Sequence, residues 1–177
     1  PLEYAFHNYG SNSPMHWGVK YEPVTVMLYE ELYQTKVNDY GCIQHEKYPY
    51  IGASPDGINV DKTNVRYGRM LEIKNIFNRE ITGIPKPEYW VQTQIQMETC
   101  NLNKCDFVET RFKEFETEEE FYQDTTSEHR GVILYFTKYI DTSKKILDID
   151  SYNIPIYKYM PVNFSLEEAK IDEWIDN

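Results

Sequence analysis

Residues 50–58 read Y-I-G-A-S-P-D-G-I, and residues 70–74 read M-L-E-I-K. Strands alternate sides, so in the second segment Met70, Glu72 and Lys74 share one face while Leu71 and Ile73 turn the other way, into a core. In the first segment Pro55 lacks a ladder donor and Gly57 permits a tight turn. Asp56 is therefore expected on a hairpin whose outgoing strand pairs beside Met70 to Lys74. Two carboxylates sixteen residues apart in sequence, and one ammonium, are thereby aimed at one place.

Converging carboxylates suit a hard divalent cation such as Mg²⁺, which takes oxygen ligands. An ammonium beside that ion could orient a water, or help deprotonate it, for attack on phosphorus. Taken singly, S-P-D-G is good turn chemistry anywhere, and E-x-K is an ordinary surface ion pair. The two in this order and at this separation weigh against that plainer reading.

The chain of 177 residues carries a net charge of −11, which at first sight argues against a nucleic-acid ligand. The distribution changes that conclusion. Seven acids and no base lie between Glu114 and Glu128, and five acids and one base from Ser165 onward, which leaves seventeen of each sign elsewhere. Residues 62–86 are locally positive, with Lys62, Arg66, Arg69, Lys74, Arg79 and Lys86 against Glu72 and Glu80. The candidate chemistry thus sits in the basic part, and a bound Mg²⁺ would add two further positive charges.

Length predicts one domain, 1–177, with an acidic insertion at about 114–128, read as a solvated helix or loop, and an acidic C-terminal helix at about 165–177. A start at Pro-Leu-Glu without methionine suggests a fragment of a longer chain. No apolar run reaches the roughly 18 residues of a membrane span. Cys42, Cys100 and Cys105 do not make a disulfide framework or a zinc spacing, so reduced thiols in an intracellular compartment are expected. Tyr, Ile, Asn and Lys usage suggests an AT-rich coding source, consistent with a large DNA virus.

Ser13-Pro14 reads as an N-cap followed by Pro at the first helical position. Trp17, Tyr21, Val24, Leu28 and Leu32 predict the buried stripe of a helix running to about Tyr33, with Pro23 as a kink or restart. Glu22 lies off that stripe, and spacing alone makes it a solvated carboxylate. Asp39-Tyr40-Gly41 reads as a turn, with strand-like alternation from Cys42 to Ile51; His7, His16, His45 and His129 lack the spaced partners of metal ligands. Pro85-x-Pro87 sets up a helix from about Glu88 to Asn101. Its apolar side would be Trp90, Val91, Ile95 and Met97, with Gln92 and Gln96 stacked four apart on the neighbouring face. Lys104–Phe112 and Arg130–Tyr139 read as strands, V-I-L-Y-F being a buried central run. Ser165 is expected to cap the last helix, which carries Leu166, Ala169 and Trp174.

An aspartate followed by E-x-K across a hairpin and strand resembles the PD-(D/E)xK nucleases. G-A-S-P-D-G with L-E-I-K resembles their phage lambda exonuclease branch, which includes the YqaJ-type viral recombinases. The likeness runs from about Asn12 to Val108. W-G-x-x-x-E-P at 17–23 looks like the family's first helix, whose glutamate, here Glu22, reaches the metal site. Y-W-V-Q-T-Q-I-Q-M at 89–97 resembles the helix whose glutamine hydrogen-bonds around that site, which points to Gln92 first and Gln94 second. Arg79 lies near the position of a phosphate-contacting arginine, one residue out of register.

The resemblance implies an α/β restriction-endonuclease-like core, a central mixed sheet flanked by the Glu22 and glutamine helices. It further implies that Asp56, Glu72, Glu22 and the Ile73 carbonyl hold two Mg²⁺ ions, with Mn²⁺ as a substitute. Lys74 and Gln92 would position the attacking water, and Ser54 or Arg79 would hold a phosphate oxygen. The implied activity is 5′-to-3′ digestion of one strand of duplex DNA, feeding recombination with a single-strand annealing partner. Only about a dozen residues precede Ser13, where lambda-type enzymes have a helical segment, so polarity and homo-oligomeric rings stay open. The rivals are an endonuclease or RNA-cleaving version of the same site, and a nonenzymatic nucleic-acid or protein-binding module on the same fold.

Overall fold

The computed structural model describes residues 13–141 and 151–177, so His7 lies outside it. The chain divides into two compact units, Pro1–Glu114 and Phe115–Asn177.

The first unit begins with α1 (Pro14–Tyr33). The Ser13 side chain accepts from the His16 amide at 3.1 Å, and Pro14 takes the position where a missing N–H costs nothing. The helix continues through Pro23 without a restart. Its buried positions are Tyr21, Thr25 and Tyr29, four apart, whereas Leu32 is 71% exposed. The expected apolar stripe is corrected here, for a reason of hydrogen bonding. Thr25 Oγ1 reaches both Asn75 Oδ1 (2.7 Å) and Thr110 Oγ1 (2.8 Å), and the Tyr29 hydroxyl donates to Asp106 at 2.6 Å. Polar side chains thereby face inward because each finds a partner there.

Short strands follow: β1 (Val37–Asn38), β2 (Ile43–Gln44), β3 (Gly52–Ala53) and β4 (Gly57–Asn59), then β5 (Met70–Asn75). A helix, α2 (Pro87–Thr99), carries the chain over to β6 (Cys105–Thr110). The main sheet has the order β1-β4-β5-β6. β4 runs antiparallel to β5, with Gly57 opposite Leu71, and β6 runs parallel to β5, with Glu72 opposite Phe107 and Lys74 opposite Glu109. β2 and β3 form a separate hairpin that leads into Ser54-Pro55-Asp56. A Cβ on Gly57 would come within 2.2 Å of Val37 Cγ1, so β4 lies this close to β1 because residue 57 has no side chain.

The period of two then sorts β5. Leu71 and Ile73 pack with Tyr29 in a core completed by Val26, Val37 and Val108. Glu72 faces α2 and accepts hydrogen bonds from it. α1 and α2 thus cover opposite faces of one strand, a mixed α/β arrangement that gives Glu72 and Lys74 a common side.

α2 is turned the other way from its predicted orientation. Thr93, Gln96 and Thr99 are buried, while Trp90, Val91 and Ile95 are 58%, 49% and 51% exposed. The cause is Glu72, only 1% exposed: a carboxylate left unpaired in the interior costs several kcal/mol, roughly 3–5.

A second polar knot closes the opposite edge. Asp106 takes Arg66 and also Arg69 (2.8 Å) together with the Tyr29 hydroxyl, and Asn59 donates to Tyr29 Oη at 3.1 Å. The Asp106 carboxyl stays below the usual range, held there against burial by the Tyr29 hydroxyl and the Arg69 and Arg66 guanidiniums. The three cysteines are free thiols.

The second unit contains α3 (Glu118–Gln123), the antiparallel pair β7 (Ile133–Asp141) and β8 (Ser151–Tyr159), and α4 (Glu168–Asp176). Phe121, Met160 and Ile171 form its core, lined by Phe115, Tyr122, Val132, Phe164 and Trp174. V-I-L-Y-F is not a central run of the main sheet. It lies in a two-stranded ribbon, and Tyr135 and Phe136 are 58% and 52% exposed. The acidic 114–128 stretch includes the short α3, capped by the Thr117 side chain. Glu167, rather than Ser165, precedes the last helix, and Ser165 Oγ accepts from the Glu167 amide. Among the described residues no helix is long and apolar enough to cross a membrane.

Candidate active site

The site forms where β4, β5, α1 and α2 meet. Asp56, half-buried at the start of β4, accepts a hydrogen bond from the Ile73 amide at 2.5 Å. This bond locks the S-P-D-G turn to the E-I-K strand, because a carboxylate accepting from a backbone N–H is a strong, directional contact.

Glu72 is held on three sides. The Lys74 ammonium donates to Oε1, Gln92 Nε2 to Oε1 at 2.8 Å, and Gln96 Nε2 to Oε2 at 2.9 Å. Gln96 Nε2 also donates to the Ser54 carbonyl at 3.3 Å. One side chain of α2 therefore spans both halves of the motif.

Excess negative charge marks the centre. The Asp56 carboxyl is pushed up to about 7, first by burial and then by the charge of Glu72, against the opposing Ile73 hydrogen bond. Burial also raises Glu22, with Asp39 and Glu72 adding to it and Lys74 pulling the other way. Glu22, Asp56 and Glu72 thus sense one another across the site. Cys105, at the start of β6, is pushed up to about 12 by burial and by the neighbouring carboxylates of Glu72, Asp106 and Asp56.

α1 is tied in place for this purpose. Asn75, at the end of β5, donates to the Gly18 carbonyl at 3.1 Å and accepts from Thr25 and Thr110. Gly18 lies one turn before Glu22, so the tether sets that carboxylate against the strand that carries Glu72.

Of the residues predicted from sequence, Asp56, Glu72, Ile73, Lys74, Gln92 and Glu22 are brought together. Ser54 contributes its carbonyl, its side chain being exposed. Arg79 pairs with the buried Glu109 of β6. Gln94 is exposed and makes none of the Glu72 contacts, and Gln96 takes the place it was assigned. The spacing held the clue: 92 and 96 share a helix face, and 94 falls between turns. Asp39, read only as a turn residue, proves to act on Glu22. His45 Nδ1 accepts from the amides of Lys47 and Tyr48, which makes it a turn-former.

Among the described residues no three His, Cys, Asp or Glu side chains are gathered closely enough to hold an ion as they stand. The donor chemistry nevertheless fits one. Glu22 and Asp56 are hard oxygen donors, both raised first by burial and then by neighbouring carboxylates, Glu72 among them, and the nearby ammonium of Lys74 is engaged by Glu72; a divalent cation would offset that excess negative charge.

Gln96→Ala is expected to destabilise the fold by roughly 1–3 kcal/mol, since the buried Glu72 loses the donor on Oε2 while keeping Lys74 and Gln92. Gln96→Glu, which sets two carboxylates against each other, should be worse. Thermal melting of the two variants beside the parent checks both.

A mixed sheet that presents two half-buried carboxylates, a buried glutamate and a lysine between two helices defines a domain built around a carboxylate–lysine centre. Residues 4–103 match the YqaJ-like viral recombinase domain, and the chain belongs to that family. An uncharacterized protein, R354, of Acanthamoeba polyphaga mimivirus is 29% identical over 191 residues, covering 94% of this chain and 34% of its own length. The chain thus spans about a third of that relative. Two crystal structures of an alkaline exonuclease (LHK-Exo) from Laribacter hongkongensis, the second in complex with dAMP, align with 93% and 95% of this chain. They do so over 64% and 66% of theirs, at 23% and 24% identity and a TM-score of 0.48 in each case.

Proposed function

We propose that this domain is a divalent-metal-dependent deoxyribonuclease that hydrolyses phosphodiester bonds. The observation that carries the reading is the meeting of Asp56 with the Glu72-Ile73-Lys74 strand under Gln92 and Gln96, opposite Glu22. Membership of a viral recombinase family supports DNA as the substrate.

Asp56, Glu72 and Glu22, with the Ile73 carbonyl, would hold Mg²⁺ or Mn²⁺, two ions in the full site. Such a cation supplies Lewis-acid polarisation of the phosphate and a lowered pKa for water. The chain's own residues do the rest. Lys74 holds the attacking water and carries positive charge to the phosphorane-like oxygens. Gln92 and Gln96 fix the rotamer of Glu72 without adding charge. Arg79 would offer a phosphate oxygen one of its remaining N–H groups while keeping its pair with the buried Glu109. The finer activity is exonucleolytic: removal of one strand of linear duplex DNA from its 5′ end in an infected cell, in concert with a single-strand annealing protein.

The test is hydrolysis with Mg²⁺ or Mn²⁺ of three substrates: a linear duplex with a 5′-phosphate, a closed circular duplex, and RNA. Mononucleotides released from the linear duplex, and lost on chelation, are the expected result. Cutting of the circle or of RNA replaces the exonuclease with its endonuclease or RNA-cleaving counterpart. Inactivity on every substrate with both metals overturns the enzymatic reading in favour of a binding module.

A further inference from the structure

We infer that Lys86, set over Tyr89 at the start of α2, forms with Arg79 a subsite for the backbone phosphates of DNA next to the one being cleaved. The inference rests on the nuclease reading above and deepens it.

Three cations surround one tyrosine. Lys74 Nζ lies 5.0 Å from the Tyr89 ring centroid, the Arg79 guanidinium carbon 5.9 Å and Lys86 Nζ 5.9 Å. The ring is backed by Phe107, stacked at 5.9 Å, and Phe107 is the register partner of Glu72. The cluster is therefore attached to the strand pair that carries the site.

The charges do not balance within it. Lys74 is paired with Glu72, and Arg79 with Glu109. Lys86 is exposed, makes no capping hydrogen bond, and has no carboxylate partner in the ion pairs of the described residues. Like charges drawn to one ring repel, and cation–π attraction at exposed sites is weak. An anion between them would complete the arrangement.

The shape of the cluster selects the anion. A nucleic-acid strand presents a continuous row of phosphates, and several cations gathered beside one ring suit a polyanion of this kind better than a single small anion. With Lys74 serving the scissile phosphate, Arg79 and Lys86, which share the Tyr89 ring with it, are left for its neighbours. Such contacts position the strand without reading sequence.

The test uses a 5′-phosphorylated linear duplex, with Ca²⁺ in place of Mg²⁺ so that binding is read without cleavage. Affinity is measured by fluorescence anisotropy over a salt series for the parent, Lys86→Ala, Lys86→Arg and, as a control, Lys170→Ala. Lys86→Ala should bind more weakly, and its slope of log Kd against log salt should be shallower by about one. In Mg²⁺ its KM should rise while kcat holds. Lys86→Arg should restore slope and KM, and Lys170→Ala should match the parent. If Lys86→Ala keeps the parental slope and KM while the parent cleaves DNA, the subsite is refuted and the nuclease reading stands. If the parent neither binds nor cleaves DNA, the nuclease reading itself has failed and takes the subsite with it.

Discussion

Lys74→Ala is expected to lower the single-turnover rate of DNA hydrolysis by about 10²–10⁴-fold, the range for removal of a group that positions or deprotonates the attacking water. Lys74 is the cation in contact with Glu72 and faces the same side of β5. The variant should still fold. Glu72 keeps hydrogen bonds from Gln92 and Gln96, so its charge is not left bare, and the proposed divalent cation would replace the lost ammonium. Circular dichroism melting in Mg²⁺ separates loss of fold from loss of chemistry. Hydrolysis at the parental rate in a folded Lys74→Ala protein would remove this side chain from the reaction.

The second large effect couples stability to function at Asp56. Without metal, burial and the charge of Glu72 push the folded carboxyl up to about 7, against roughly 3.9 for an unfolded aspartate. Between those values the folded state binds more protons than the unfolded one, so stability falls as pH rises, and the loss is complete above the folded value. The magnitude is on the order of 2–4 kcal/mol. Asp56→Asn removes the titration while leaving an oxygen to accept from the Ile73 amide. It should therefore be more stable than the parent at pH 8 in chelator, flat across the window, and inactive in Mg²⁺. Saturating Mg²⁺ should restore the parent's stability at pH 8 and leave the variant unchanged. Melting temperatures at pH 5 and pH 8, with and without metal, decide the matter. A parent equally stable at both pH values in chelator would show that its Asp56 is not strained.

These two expectations show how far local pattern carries. A period of two places Glu72 with Lys74, and Pro55 and Gly57 make the turn that delivers Asp56, so the meeting of those groups follows from about twenty-five residues. Glu22 needs more, because spacing alone leaves it on a solvent face and only likeness to a family of nucleases draws it inward. What the sequence concealed was set by distant partners. α2 presents amides and threonines to the interior because a buried carboxylate waits there, a demand written in β5 and invisible in α2 itself. α1 selects Thr25 and Tyr29 over Leu32 because Asn75, Thr110 and Asp106 lie opposite. V-I-L-Y-F has the composition of an interior strand, yet its partner β8 is one more strand of a ribbon.

The Tyr29–Asp106 and Lys20–Glu114 contacts join positions 77 and 94 residues apart. A nascent chain that ends before Asp106 already carries Asp56, Glu72, Lys74 and Gln96, but lacks the strand against which 70–75 is paired and the anchors that hold α1. Non-local closure of this kind is slow and comes late. The centre is therefore complete only once 105–110 has paired with 70–75 and α1 has been anchored on Asp106.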